Sequence, residues 1–481
     1  MSDVKPIAPV RIGQTDILYA QGIRAGSWLF FTGHEAADFE HGIAALVTGK
    51  PGQPLGGAPR YLREGRFIFD RFAKLIAAEG GDLRHIVRVD QYYPRAECVN
   101  PYQRARKTLL KDYVPPSTSV LMEELLTVGA NMNVSLLAVL PGEGREPHAA
   151  RVEGVPVPQH SGFIASLACG DYVFVAGQMP NNEAMTGLDP KAYRPPNAVW
   201  NGTDIRLQTE FLITGRLKPG LEAGGSSLKN AIKAQVYLTD INDLPEFMDV
   251  WNGHFADSPC ALTVVATKGL ALLESKIEIN IFGVRDAGKI KKQIIEHKAS
   301  AHMRLGPAAV RAGDLLCLSA LYAADADGAL PDVSASAGLR YLGVPAQRQM
   351  KVILGAAGDI CQAGGTSLAN VVRAQHFVGD LNSVYPALRI WQEKLAGAPI
   401  PFGAVRTSSP MPIPGCDITM DMWAYRTTIS GALGFIVGTV WDLPPFTRKS
   451  FAQFLKISDS IAIAESGCAV FAAHRHFKLR N

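Results

Sequence analysis

The sequence predicts an α+β protein built from three successive units of one kind, each a mixed β-sheet that carries two helices on one face. The first observation is a segment with a Gly-Gly pair, a basic residue and an apolar/polar alternation, which occurs as AAEGGDLRHIVRVDQYY, EAGGSSLKNAIKAQVYL and QAGGTSLANVVRAQHFV. The second is an upstream segment, which occurs as RAGSWLFFTGHE, ACGDYVFVAGQM and RAGDLLCLSALY. Self-similarity at a fixed period indicates a repeated architecture. Both landmarks recur at intervals of 140–144 residues, at Gly81, Gly225 and Gly365 and at Gly26, Gly170 and Gly313.

Each unit is predicted to open with a β-hairpin, because a glycine turn is followed by a β-rich run such as WLFFTG or YVFVAG. An amphipathic helix comes next. In the first unit it spans residues 61–78, where Phe67, Phe69, Phe72 and Ile76 recur at helical spacing. The Gly-Gly pair ends this helix, since glycine tolerates the left-handed conformation that follows a helix.

The second half of each unit reads as a strand, a second helix and two closing strands. The second helix is predicted at residues 102–113, 244–255 and 384–395. The last strand contains MNVSLLAVL, KIEINIFGV or DITMDMWAY. Alternation in KIEINIF places Glu278 and Asn280 on one face and three isoleucines on the other.

Composition restricts the class of protein. The chain has 481 residues with 48 Lys+Arg against 44 Asp+Glu, so charge gives no reason to expect nucleic acid or an anionic membrane as partner. The longest apolar stretch, residues 429–441, is shorter than the ~20 residues of a spanning helix. Its N-terminal residues lack a signal-peptide pattern, and its seven cysteines form no CxxC pair. We therefore expect a cytoplasmic protein without a zinc site.

The repeats set the expected domain boundaries. Units are predicted at residues 1–141, 160–284 and 301–426, joined by linkers at 142–159 and 285–300. The first linker is polar and Pro-bearing, which favours an extended tether. The second contains four lysines, which favours a solvated linker helix over an anion-binding patch. Residues 427–481 match none of the units, and the sequence assigns them no role.

In this order of elements the unit resembles the RidA/YjgF family of imine and enamine deaminases, which have a chorismate-mutase-like fold. The resemblance is carried by AGGSSLKNAIKAQVYLTDINDLPEF in the second unit and AGGTSLANVVRAQHFVGDLN in the third. Family members are homotrimers with a ligand pocket at each subunit interface. The resemblance therefore implies that three units close into a pseudo-trimer within one chain, as a monomer or as a homodimer of such chains. Tethering favours closure because it makes association intramolecular.

Catalytic members hold the substrate carboxylate with an arginine from a P-x-R loop and position water with a glutamate on the last strand. Matching the loops places Ser117, Ala261 and Gly403 where that arginine is expected, so no unit keeps it. Deamination of 2-imino acids is therefore expected to be weak. Arg406 is either a relocated carboxylate clamp or an ordinary surface arginine.

The resemblance also supplies candidate site residues. Glu278 matches the strand glutamate and is the predicted catalytic residue, whereas Asn133 and Thr419 stand at that position in the other units. His34, followed by Glu35, is interpreted as a proton relay or as a histidine hydrogen-bonded in a turn, and Cys260 as a nucleophile or an inert buried thiol. The candidates for substrate binding are Tyr19, His34, Asn133, Gln178, Cys260, Asn280, Arg406 and Asp421.

The leading hypothesis is a cofactor-free hydrolytic deaminase or related hydrolase on a small imine, enamine or amide-like metabolite. The cleft of Glu278 is predicted to be active, with Gln178, Cys260 and Asn280 lining it and a neighbouring unit closing it. One alternative is a non-catalytic protein that binds a small molecule. Another is a ring-opening amidohydrolase, similar to cyanuric acid hydrolase, although the Ser–Lys pair of such enzymes does not recur here.

Overall fold

A computed structural model describes residues 4–49, 57–157, 161–199, 202–330 and 344–427. It confirms the α+β class, with three large mixed sheets and helices packed on them. Residues 428–481, predicted as a tail of unassigned role, lie outside the described residues. No helix of the described part is long and apolar enough to cross a membrane.

The three sheets share one strand order. In each, four antiparallel strands lead to an eight-residue strand, called the central strand below, and the far edge strand is parallel to it. The first sheet runs through Val4–Ile7, Gly22–Ala25, Trp28–His34, Asn133–Val139, Ile86–Tyr93 and Ser117–Leu121. The second runs through Pro147–Ala150, Ser166–Cys169, Tyr172–Gln178, Ile277–Val284, Ala231–Leu238 and Ala261–Ala266. The third runs through Lys292–Ile295, Ala309–Ala312, Leu315–Leu318, Ile418–Tyr425, Val371–Val378 and Phe402–Arg406.

The third sheet gains a seventh strand from a distant part of the chain. Glu124–Leu125 pairs antiparallel with Phe402–Arg406, so the segment that follows the first sheet's edge strand is bonded into the third sheet. Short two-stranded ribbons join Val10–Arg11 to Leu18–Tyr19, Ala37–Asp38 to Gly42–Ile43, and Ala324–Asp325 to Gly328–Ala329.

Two helical segments cover one face of each sheet. They are Arg60–Ala78 with Val99–Leu110 (preceded by the short Ala45–Thr48), Asp204–Ala223 with Leu244–Phe255, and Pro345–Ala363 with Val384–Lys394. The segment 204–223 comprises α-helices Asp204–Leu212 and Lys218–Ala223 around a π-helical turn at Ile213–Leu217. The turn precedes Pro219, which has no N–H to donate back along the helix. The helix predicted at 102–113 begins three residues earlier, because Pro101 fits within its first turn.

The glycines that end the long helices correct the predicted repeat register. The left-handed residues are Gly80, Gly225 and Gly365, with φ of 89°, 85° and 78°. The left-handed residue is therefore the first glycine of the pair after the first long helix, and the second glycine of the pair after the other two. Gly80, not Gly81, is the equivalent of Gly225. The sequence match was shifted by one residue because either glycine satisfies the pattern.

Both predicted linkers contribute sheet strands. Pro147–Ala150 pairs with Ser166–Cys169, and Lys292–Ile295 pairs with Ala309–Ala312. The expectation of a linker helix at 285–300 is therefore wrong for residues 292–295. These edge strands are short and only partly buried, so they lack the apolar alternation by which a strand is recognised.

The core has two kinds of apolar layer. Three clusters lie between one sheet and its own helices. Two further clusters combine residues of all three sheets, so the sheet faces that carry no helix pack against one another. Tyr92, Tyr237 and Phe377, which hold the same position in the three central strands, meet in this inner layer.

Candidate functional site

A buried polar network connects the three sheets beside this inner apolar layer. Its basic members occupy the third position of each central strand, and each reaches a residue of the next sheet. The contacts are Arg88 with Asn280 (2.8 Å), Lys233 with Asp421 (2.7 Å) and Arg373 with Asp90 (3.0 Å). All six side chains are buried. The network therefore links first sheet to second, second to third and third to first.

Two predicted site residues belong to this network instead of a cavity. Asn280 accepts from Arg88 and donates to Thr118 Oγ1 over 2.9 Å. Asp421 accepts from Lys233 and Gln235. Burial works to raise the pKa of Asp421, but Lys233 and Arg373 hold it below its usual range. Both residues therefore connect neighbouring sheets, and neither lines one of the two cavities described next.

Glu278 lines a cavity of 330 Å³ between the second sheet and the first. Gln178 and Phe163 line it from the second segment, while Ser117 and Ser119 line it from the edge strand of the first sheet. Cys260, which was expected there, does not line this cavity. A neighbouring sheet thus closes the cleft on the side away from Glu278.

Burial governs the chemistry of Glu278. Its side chain is 4% exposed, and burial raises its pKa to about 8, although the Ser119 backbone N–H donates to it. The carboxyl is therefore mostly protonated at neutral pH and ionises in mild base. A carboxyl of this kind exchanges a proton readily with a bound imine or with water, as general acid–base catalysis requires.

Glycine at position 177 makes room for this carboxyl. A methyl group at Gly177 would overlap Oε1 of Glu278 and lie 3.0 Å from Thr118 Oγ1. The absence of a side chain at Gly177 therefore admits the Glu278 side chain into the interface between two sheets.

A second cavity of 620 Å³ lies between the first sheet and the third. Tyr19 packs edge-on against Phe402, with ring centroids 5.2 Å apart, and donates its hydroxyl to Thr32 O over 2.7 Å. Glu35 also lines this cavity and accepts from the Leu126 and Thr127 backbone N–H groups. The walls are therefore aromatic on one side and polar on the other.

His34 and Asn133 both lie close to Glu35, and each is bonded to another group of the protein. Asn133 Nδ2 donates to Glu35 Oε1 over 2.9 Å, and His34 Nε2 lies 2.6 Å from Gln21 O. Burial lowers the pKa of His34 to about 3 and raises the pKa of Glu35. His34 is consequently a neutral imidazole near pH 7. This agrees with the turn-bonded interpretation and not with an imidazolium that relays protons.

The third interface, between the second sheet and the third, is packed by side chains. Tyr322 is fully buried and places its hydroxyl 3.4 Å from Val264 O. Ser319 Oγ accepts from Leu262 N, and Ala320 N donates to Leu262 O. Among the described residues, cavities thus lie at two of the interfaces between sheets, whereas these side chains pack the third.

The remaining predicted residues lie away from both cavities. Cys260 is 1% exposed, and burial raises the pKa of its thiol to about 11, which keeps it protonated and a poor nucleophile. Arg406 pairs with Glu124 over 3.1 Å at the strand that joins the third sheet. The Arg406 guanidinium therefore contributes to the pairing of these two strands.

Strand pairing tests the matches made from sequence. Asn133, Glu278 and Thr419 are equivalent, since they lie opposite Tyr92, Tyr237 and Phe377. The residues matched to the clamp arginine are not equivalent, because they lie opposite different positions of the central strands: Ser117 opposite Val89, Ala261 opposite Lys233 and Gly403 opposite Gln375. Pro116 and Pro401 correspond to Ala261, and this position holds no arginine in any of the three sheets.

Three residues at the cavities were missed by sequence reasoning. Ser119 bonds to Glu278 through its backbone, which no side-chain pattern reveals. Phe402 belongs to a distant strand that reads as ordinary core. Arg71, which lines the larger cavity and donates to Glu35 O and Ala37 O, looks like a solvated position of an amphipathic helix.

Comparison with known proteins finds similarity over part of the chain. A family model described as Endoribonuclease L-PSP matches residues 158–284. A RutC family protein of Pyrococcus abyssi is 32% identical over 108 residues, which are 22% of this chain and 75% of that protein. A RutC family protein of Saccharolobus solfataricus is 35% identical over 108 residues, with the same coverage.

Solved structures are also similar over part of the chain. A putative endoribonuclease of Thermotoga maritima is 26% identical, covers 29% of this chain and 98% of its own, and has a TM-score of 0.23. A chorismatase structure is 13% identical, covers 58% of this chain and 80% of its own, and has a TM-score of 0.38.

Proposed function

The chain belongs to the RutC (RidA/YjgF) family, and from that premise we propose that it is a hydrolytic deaminase or related hydrolase. Its substrate would be a small imine, enamine or amide-like metabolite, and Glu278 would be its catalytic residue. The observation that carries this proposal is the position of Glu278. It is the one acidic residue at its strand position among three equivalents, and it lines a cavity between two sheets.

The proposal includes the architecture that forms the cleft. We infer three tandem RidA-like units, at 1–141, 160–284 and 301–426, that close into a pseudo-trimer within one chain. The common strand order of the three sheets supports this inference. So does the polar network, in which each basic residue reaches the next sheet in one rotational sense. A homotrimer would repeat one contact three times, whereas this chain uses three different ones.

The proposed reaction starts from the protonated Glu278 carboxyl. Glu278 gives its proton to the nitrogen of the C=N bond, which makes the carbon more electrophilic. The carboxylate then takes a proton from water as the water oxygen bonds to that carbon, which yields a carbinolamine. Glu278 next protonates the amine and recovers the hydroxyl proton. The C–N bond breaks, ammonia and a carbonyl compound leave, and Glu278 ends protonated.

The cleft supports this sequence through positioning. The Ser119 backbone N–H stabilises the carboxylate that forms in the first step. Gln178, beside Glu278 in the cavity wall, supplies an amide that can orient water or substrate. Phe163 and Leu270 limit the access of bulk water.

A non-catalytic binding protein is the second candidate. The observation in its favour is the absence of arginine at the position of Pro116, Ala261 and Pro401. The ring-opening amidohydrolase reading is weaker, since the Lys233 ammonium contacts Thr263 and Asp421 in the sheet interface and no serine hydroxyl is among its contacts.

Turnover of a panel of imines and enamines tests the proposal. Glu278→Gln is nearly isosteric and should reduce turnover ~10²-fold or more, since general acid–base groups contribute on that scale. His34→Ala, at the other cavity, is the matched comparison and should retain turnover. Loss in His34→Ala with full turnover in Glu278→Gln would place the reaction in the other cavity. Binding without turnover would favour the second candidate.

A further inference from the structure

The Glu278 cavity is lined almost entirely by uncharged side chains. Among the described residues that form it, Glu278 is the only ionisable side chain, and Lys, Arg and His are absent. The other polar groups are amides and hydroxyls, which offer hydrogen bonds without charge. They are Asn100, Gln103, Gln178, Asn181, Ser117, Ser119 and Ser161.

Two buried arginines bond to residues of the cavity wall, but neither lines the cavity. Arg106 donates to Gln91 Oε1 over 2.8 Å and to Ser161 O over 3.3 Å. Arg216 donates to Gly154 O over 2.7 Å and to Asn181 O over 2.9 Å. Both bond to the atoms that build the cavity wall, so neither is placed as a clamp for an anion.

An anionic ligand would therefore lose its hydration without gaining a cation. Burying a charge is unfavourable unless it is paired, and the ligand would also face the only acid of the site. An uncharged ligand has no such penalty. Its carbonyl oxygen or imine nitrogen would meet a donor if the Glu278 carboxyl keeps its proton, and its N–H groups would meet amide and hydroxyl acceptors.

We propose that the Glu278 cavity selects uncharged, amide-like or imine ligands whose polar atoms bond to the Glu278 carboxyl and the surrounding amides and hydroxyls, and that it rejects carboxylates. This inference rests on the proposed function for the identity of the substrate site, but it concerns binding and is measurable without turnover. It assigns a substrate class opposite in charge to the 2-imino acids that an arginine clamp would hold.

Benzamide and benzoate form a suitable probe pair, since they share size and shape and differ in charge. Isothermal titration calorimetry at pH 7 on the full chain should give at least tenfold tighter binding of benzamide. Glu278→Ala should weaken benzamide binding at least tenfold by removing the donor. Equal or tighter binding of benzoate, or no binding of benzamide at millimolar concentration, would overturn the proposal.

A substitution that adds a cation provides the converse experiment. Ser117→Arg places a guanidinium at the cavity wall and should create benzoate binding, because a bidentate ion pair then becomes available. Thr108→Arg adds the same charge on an exposed helix position outside this cavity and should not. Benzoate binding gained equally in both variants would show that net charge, not the cavity, sets the preference.

The two proposals fail in different ways. Benzamide preference without turnover of any imine would leave the ligand class standing and remove the deaminase function. Turnover of a 2-imino acid that is lost in Glu278→Gln would leave the function standing and remove the ligand class.

Discussion

The ammonium nitrogen of Lys233 lies 2.7 Å from Oδ1 of Asp421, and neither side chain is exposed to solvent. Lys233 also donates to Thr263 Oγ1 and to Leu318 O, so its three N–H bonds all have acceptors. Lys233 belongs to the second sheet and Asp421 to the third. A fully satisfied buried pair thus specifies which sheet faces which, and its loss would leave a charge without a partner.

Lys233→Met tests the contribution of this pair to stability. Methionine keeps the length of the side chain but leaves Asp421 with only the more distant Arg373, 3.9 Å away, as a cationic partner. Breaking a buried pair costs about 3–5 kcal/mol, and we expect about 3 kcal/mol in urea unfolding. Lys233→Met with Asp421→Leu should recover part of that loss, because no unpaired charge remains.

Lys276→Met is the control for that experiment. Lys276 pairs with Asp243 over 2.9 Å, but the two side chains are 32% and 20% exposed. Solvent-accessible pairs contribute about 0–1 kcal/mol, so this variant should change stability little. Equal losses in Lys233→Met and Lys276→Met would contradict a special role for the buried network.

Glu278 should make stability depend on pH in a defined direction. Its pKa is raised from 4.5 to about 8 in the folded protein by burial, so the folded state holds one more proton than the unfolded state between those values. The contribution of Glu278 to the free energy of unfolding is therefore greatest below pH 4.5 and falls by about 1.4 kcal/mol per pH unit up to pH 8.

Glu278→Gln removes that dependence. Its unfolding free energy relative to the unsubstituted protein should rise steadily from pH 6 to pH 8 and level off above pH 8. Urea unfolding at several pH values measures this difference. Glu153→Gln, at an exposed position, should show a constant difference. A flat difference for Glu278→Gln would show that the carboxyl is ionised throughout.

The inferred pseudo-trimer predicts the mass of the particle in solution. Light scattering should give about 51.7 kDa for one chain or twice that value for a pair of chains. Three sheets in one chain already cover one another's inner faces, so no third chain is needed to complete the cavities. A stable particle of three chains would contradict this prediction.

The sequence predicted elements well where burial on one face leaves a periodic pattern. The helix expected at residues 244–255 is observed as Leu244–Phe255, and that expected at 61–78 as Arg60–Ala78. It failed at the edge strands Pro147–Ala150 and Lys292–Ile295, because these four-residue strands pair through their backbones and their partly buried side chains form no apolar alternation.

The site was harder to predict than the fold. Glu278 and Asn280 share one face of a strand, as alternation requires, but two residues correspond to about 6.6 Å along the strand. That distance separates the cavity wall from the network between sheets, so Asn280 bonds to Arg88 while Glu278 meets the cavity. Periodicity gives the face of a residue and cannot give its partner on another sheet.

The proposed mechanism predicts a pH profile for turnover. Because the reaction begins from the protonated Glu278 carboxyl, kcat/KM should be constant in the neutral range and should fall tenfold per pH unit well above pH 8, where the acid form is lost. Steady-state rates from pH 6 to pH 10 measure this profile. A rate that instead rises through pH 8 would show that the carboxylate is the form that starts the reaction.

The last prediction concerns Gly177→Ala, a substitution that should displace the Glu278 carboxyl without removing it. A methyl group at residue 177 would overlap Oε1 of Glu278, the free end of a flexible side chain, and would also press on Thr118, which a small shift can relieve, so Gly177→Ala should move the carboxyl with a modest effect on folding. Turnover should fall at least tenfold, since small displacements of an aligned group are costly in rate.

Gly187→Ala is the matched control, because its nearest neighbour, Asn182 Nδ2, is 3.7 Å from the added methyl group and the residue is outside the cavity lining. Thermal unfolding should be similar in the two variants, and turnover should fall only in Gly177→Ala. If Gly177→Ala retains full turnover and folds normally, the Glu278 carboxyl does not act from the position observed here. Since Glu278→Gln alters the acid and Gly177→Ala alters only its place, loss of turnover in both identifies proton transfer from this site as the step that the cavity supports.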